Sequence, residues 1–174
     1  MTAWEDKTGP HDDVPLSTLV ERGGIYYNVS GSGIETFVTE LIRLIPGLND
    51  MEPPGNPGFK TDLIRAVLER EALMSTGIGQ GIALPHPRNP LTIDAERQYV
   101  SIGFPAAPLD WKALDGRPVH TALLIVSSSA KFHLHTLLKI NFLCRNEDFL
   151  SLLKSRAPRD RIAGAIREVE QSWA

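Results

Sequence analysis

The chain has 174 residues, 42% of them hydrophobic and 22% charged, with a formal net charge of −3, which suits one soluble domain able to bury over half of its unfolded surface. Its mild acidity leaves no basic field for nucleic acid, and no run approaches the roughly 20 apolar residues that span a bilayer. The start lacks the basic-then-apolar pattern of a signal peptide, and a lone cysteine, Cys144, excludes an internal disulfide or a thiolate zinc cluster, so the sequence reads as cytoplasmic.

Residues 1–15 are polar, Pro-containing and without period, and are expected to form a flexible lead-in to one domain over 16–174. A short helix is predicted from Leu16, stopped by Gly23-Gly24, followed by a strand over Ile25–Val29. Ser32 and Glu35 offer a capping box ahead of Ile34, Phe37, Val38, Leu41 and Ile42 at helical spacing. Prolines and glycines over 46–58 predict an irregular loop, and Leu63, Ile64, Val67 and Leu68 predict a second long helix ending near Arg70-Glu71.

After a glycine-rich loop, Gly81–Leu84 reads as a short buried strand that delivers His86 at its end. The clearest strands are 99–104 and 119–126, with a turn bent at Asp115-Gly116 between them. Beyond Ser127–Ser129, three helices are expected, the first marked by Leu134, Leu137, Leu138 and Phe142, the last over Asp160–Val169. Strands separated by helices argue for an α/β sandwich around a mixed sheet.

The chemistry concentrates at 75–90, STGIGQGIALPHPRNP. Ser75, Thr76, Gly77, Gly79 and Gly81 could form a nest of backbone amides for an anion, although turn geometry alone also accounts for such glycines. The spacing fits neither a P-loop nor a dinucleotide fingerprint. Pro85 and Pro87 fix the backbone on either side of His86, and a neutral imidazole nitrogen can take a phosphoryl group directly. His133 and His135 stand two apart, a spacing that faces different ways on a helix, so no metal site is expected. His120 and Cys144 read as structural residues.

These residues resemble a known family. Glu71, Ile78, Gly79, Ile82, Ala83, Leu84, Pro85 and His86 fill, in order, the pattern around the phosphorylated histidine of the mannitol/fructose-class IIA domains (EIIA type 2) of the bacterial phosphoenolpyruvate-dependent sugar phosphotransferase system. The nitrogen-regulatory IIA proteins belong to that class. LDGRPVHTALLIV (114–126) and HLHTLLKINFLCRNEDFLSLL (133–153) resemble its later blocks, so the likeness runs over roughly residues 16–170. One departure is Pro87, where the family usually has a small residue, often glycine; it removes one N–H beside the histidine.

The resemblance implies a mixed sheet of about five strands flanked by helices on both faces, with His86 in a crevice at its edge. It implies phosphorylation of His86 on Nε2, with Arg70 near the phosphoryl group and His133, its ring beside the first, donating a hydrogen bond. It implies no cofactor and no metal. The donor would be a phospho-HPr-type carrier, and the acceptor a IIB protein or a regulatory target on another chain, without nucleic acid or membrane insertion. The alternative is a docking module that keeps the IIA fold and acts on a transporter, kinase or transcription regulator, with the chemistry altered or lost.

Overall fold

The computed structural model describes residues 13–45 and 58–173. Most of the expected lead-in and nearly all of the predicted 46–58 loop lie outside the described residues. The end of the lead-in is tied down: Val14 rests on the core, and Lys139 Nζ reaches Asp13 Oδ1 at 3.2 Å and the Val14 carbonyl at 3.1 Å.

Strands β1 (Ile25–Val29), β2 (Gly77–Gly79), β3 (Ile82–Ala83), β4 (Tyr99–Pro105) and β5 (Thr121–Val126) form one mixed sheet in the order β1-β4-β5-β3-β2. The central pair, β4 and β5, is antiparallel, with Tyr99 opposite Val126 and Gly103 opposite Ala122. β1 runs parallel to β4, and β3 parallel to β5. Every residue of β4 and β5 is buried, as expected for strands covered on both faces.

Period-two alternation then sorts their side chains between two cores. Val100, Ile102, Phe104, Leu123 and Ile125 face a core shared with α1 (Leu16–Gly23), α4 (Ala130–Leu143), α5 (Glu147–Lys154) and α6 (Arg159–Gln171). Tyr99, Ala122, Leu124 and Val126 face the other, built with α2 (Ile34–Leu44), α3 (Phe59–Leu73) and the fully buried Trp111. The expected fold class, a mixed sheet with helices on both faces, is therefore the observed one.

Gly23 and Gly24 stop α1 as predicted, and Gly23 has a second task. A Cβ there would lie 2.1 Å from the Val100 carbonyl oxygen, so only glycine lets the helix end press onto β4.

Four expectations shift in detail. α2 is capped at Gly33, not by the Ser32 side chain: Thr36 Oγ1 accepts from the Ser32 and Gly33 amides at 3.0 and 3.2 Å. The glycine-rich loop contains a strand, β2, antiparallel to β3. The Asp115-Gly116 turn does not join β4 directly to β5; the link runs through a bridge between Leu109 and Val119.

The fourth concerns α4: of the four residues that mark it in the sequence, only Leu137 packs against the core. Leu134, Leu138 and Phe142 are exposed, and Phe132, Thr136, Ile140 and Leu143 are buried. The helix carries apolar residues on two faces, so periodicity names a stripe without saying which one the sheet takes.

Candidate active site

The fold brings three of the predicted residues together. His86 lies just beyond β3, on a segment held into the sheet by Leu84 N donating to the Thr76 carbonyl at 3.0 Å and Ile125 N donating to the Pro85 carbonyl at 3.0 Å. Arg70 comes from the last turn of α3 and His133 from the first turn of α4. The rings of His86 and His133 stand 4.6 Å apart between centroids and are tilted by 42°.

His86 Nδ1 lies 2.7 Å from the Leu84 carbonyl oxygen. A carbonyl can only accept, so Nδ1 carries the proton and Nε2 keeps its lone pair. Burial lowers the His86 pKa; the hydrogen bond to Leu84 opposes this, Arg70 adds to the lowering, and Glu71 opposes it. Burial, then His86 and Arg70, lower His133 from 6.5 to about 4. Both shifts favour the neutral ring at pH 7, in which His86 can offer the Nε2 lone pair and His133 can donate one ring N–H. Arg70 donates from Nη1 to the Met74 carbonyl at 2.8 Å, which fixes the guanidinium at the end of α3. Arg88 lines the same open groove as Arg70, a second cation that the sequence does not single out.

The expected anion nest takes a different form. Thr76 N donates to Glu71 Oε1 at 2.8 Å, Gly77 N to Ser75 Oγ at 3.1 Å and Gln80 N to Asp115 Oδ2 at 2.8 Å. Ser75 Oγ donates to the Trp111 carbonyl at 2.6 Å, and Thr76 Oγ1 is bonded to Glu71 Oε2. Residues Ser75, Thr76, Gly77, Gly79 and Gly81 thus form a closed hairpin in which the donors just named already have acceptors in the chain. Its tip, Gln80-Gly81, lies at the opposite end of the β2–β3 pair from His86. The glycines are required by conformation: Gly79 and Gly81 have φ of 93° and 79°, and a Cβ on Gly81 would lie 2.3 Å from the His120 ring.

His120 is accordingly a packing residue with Nδ1 2.7 Å from Thr121 Oγ1. Burial pushes the Cys144 thiol up to about 12, which keeps it protonated near pH 7. Trp111 is a partner that the sequence does not mark, and Glu71 stands first in the family pattern with no contact assigned to it. A signal for Glu71 exists all the same: a carboxylate in the last turn of a helix opposes the macrodipole.

The sequence model of the family described as "Phosphoenolpyruvate-dependent sugar phosphotransferase system, EIIA 2" matches residues 56–169. The chain belongs to this family. A nitrogen regulatory protein of Pseudomonas aeruginosa is 30% identical over 160 residues, covering 90% of this chain and 97% of that one. A second, from Klebsiella oxytoca, is 41% identical over 84 residues, 46% of this chain and 50% of its own. The chain spans about half the length of that relative, and its match takes in only 23% of a fructose-specific EIIABC component of Bacillus subtilis, at 24% identity over 88% of this chain.

The crystal structure of IIA-Ntr from Neisseria meningitidis superposes with a TM-score of 0.67 at 21% identity, over 87% of this chain and 94% of that one. The Escherichia coli mannitol IIA, solved in complex with phosphorylated IIB, gives 0.60 at 13%, over 93% and 98%. Both share the fold of this EIIA domain. No helix among its described residues is long and apolar enough to cross a membrane.

Proposed function

We propose that this EIIA domain is a phosphoryl carrier that takes a phosphoryl group on Nε2 of His86 from a phospho-HPr-type donor. The observation that carries the reading is the Nδ1 hydrogen bond to the Leu84 carbonyl, 2.7 Å, because it leaves the Nε2 lone pair as the free nucleophile of a ring lowered into its neutral form. In the transfer, the His86 Nε2–P bond forms as the donor's own bond to phosphorus breaks, and the donor leaves with that electron pair. The Nδ1 proton stays on the ring throughout, donated to the Leu84 carbonyl. Arg70 stabilises the charge on the equatorial oxygens, and His133 donates to one of them.

The group passes next to a protein acceptor. A IIB protein is one kind, as in the complex of the mannitol relative. A regulatory target is the other, and identity to nitrogen regulatory proteins favours it. Exposed Leu73, Met74 and Leu134, close in sequence to Arg70 and His133, suit a protein partner over a small molecule.

Intact mass after incubation with phosphoenolpyruvate, Enzyme I and HPr tests the reading. One acid-labile phosphoryl group, absent from His86→Ala, is expected. No addition with an active donor system would overturn it and leave the docking role, with Pro87 the first residue to replace by glycine.

A further inference from the structure

Glu71 sits where electrostatics disfavours it, in the last turn of α3. Its two oxygens are both occupied by one residue: Oε1 accepts from Thr76 N at 2.8 Å, and Oε2 is bonded to Thr76 Oγ1. Thr76 is buried, and its hydroxyl also accepts from the indole Nε1 of the fully buried Trp111 at 3.3 Å. Ser75 closes the same clasp from the other side through the Trp111 carbonyl.

The clasp reaches both halves of the site. Toward His86, the Thr76 carbonyl takes Leu84 N at 3.0 Å, and the Leu84 carbonyl takes His86 Nδ1 at 2.7 Å. Toward Arg70, the short link from α3 to Thr76 carries the Met74 carbonyl that holds the guanidinium at 2.8 Å. One carboxylate therefore stands between the two groups whose relative placement decides phosphoryl transfer.

We propose that Glu71 is a positioning residue, and that its clasp on Thr76 sets the His86 ring and the Arg70 guanidinium in register. This rests on the reading of His86 as the phosphoryl acceptor. Glu71 touches neither the phosphoryl group nor the reacting nitrogen. It acts through Thr76 and Leu84, and the Ser75-Thr76 pair serves the site by holding the backbone rather than by binding an anion.

The test compares Glu71→Ala, Glu71→Gln and Thr76→Val in the full chain, with two readouts. The first is the imidazole ¹⁵N spectrum of His86 in unphosphorylated protein, where the wild type shows a single Nδ1–H tautomer. The second is the kcat and KM of phosphoryl acceptance from phospho-HPr. Glu71→Ala is expected to mix the tautomers and to lower kcat by about 10²-fold, the scale of a small misplacement of reacting groups, with KM for the donor unchanged. Glu71→Gln keeps the size and one acceptor, and is expected to recover the wild-type spectrum and most of the rate. Thr76→Val, which removes only the hydroxyl, is expected to shift both readouts in the direction of Glu71→Ala.

A folded Glu71→Ala with wild-type His86 signals and wild-type kcat overturns the proposal. Should Glu71→Ala fail to fold, Thr76→Val decides: wild-type signals and rate in that variant overturn it equally. A wild type that accepts no phosphoryl group would instead sink the carrier reading, and the tautomer spectra would still decide whether Glu71 positions the ring.

Discussion

The two ends of the β2–β3 hairpin are built from the same sixteen-residue stretch, 75–90, and are used in opposite ways. At the tip, Gln80 N is taken by Asp115, the Gly81 carbonyl accepts from His120 N and Thr121 N at 2.9 and 3.2 Å, and the His120 ring covers Gly81. Every polar group named there is satisfied within the fold. At the other end, Thr76, Leu84 and Pro85 are equally pinned, but the ring they support keeps one nitrogen without a hydrogen-bond partner among the described residues. Glycine richness at the tip is a requirement of backbone geometry. The unshared lone pair at the far end makes His86 the candidate for chemistry.

Substitutions at the two ends should separate these roles. The largest effect belongs to His86→Ala: phosphorylation is lost altogether, as read by intact mass. Urea unfolding of that variant should shift by only about 1 kcal/mol, the worth of one hydrogen bond. The mirror case is Gly81→Val, which forces a β-branched residue to φ near 79° and into the His120 ring. It should cost about 2–4 kcal/mol by urea unfolding while the folded fraction still accepts the phosphoryl group on His86. Equal loss of phosphorylation per folded molecule in both variants would erase the distinction.

Arg70→Ala should leave the fold intact and slow acceptance by about 10²-fold, the scale of one lost electrostatic donor; a wild-type rate would remove Arg70 from the mechanism. His133→Ala should slow acceptance less than His86→Ala does, and unchanged rate and phosphohistidine lifetime would remove His133 in turn.

The smallest effect is on pH dependence. His133 is lowered from 6.5 to about 4 in the folded protein, so between those values the unfolded chain binds a proton that the folded one refuses. Stability should accordingly fall as pH drops from 7 toward 4. Urea midpoints at pH 7 and pH 5 measure the slope, and His133→Ala should reduce it, leaving the part due to His86 and His120, which are lowered too.

Much of the fold and of the site is legible in the sequence. The α1 stop at Gly23-Gly24, the strands over 25–29 and 99–104 and the last helix follow from turn chemistry and period. His86, Arg70 and His133 follow from the family resemblance, and the fold places the two rings 4.6 Å apart. Less legible is anything that depends on which of two equivalent choices packing makes. The apolar residues of α4 supply two stripes, and only contact with the sheet selects Phe132, Thr136, Ile140 and Leu143. The amides of 75–81 could have faced an anion, and only the arrival of Glu71 and Asp115, with Trp111 holding Ser75, turns them inward.

By itself the sequence determined most of the elements and the family and singled out His86 as the candidate, because these depend on local backbone preference, on hydrophobic period and on one contiguous motif. Tertiary structure alone decided the tautomer, the face of α4 and the clasp of Glu71 on Thr76. Each depends on a backbone path or a burial that is settled only when the helices close over the two faces of the sheet and buried polar groups compete for partners.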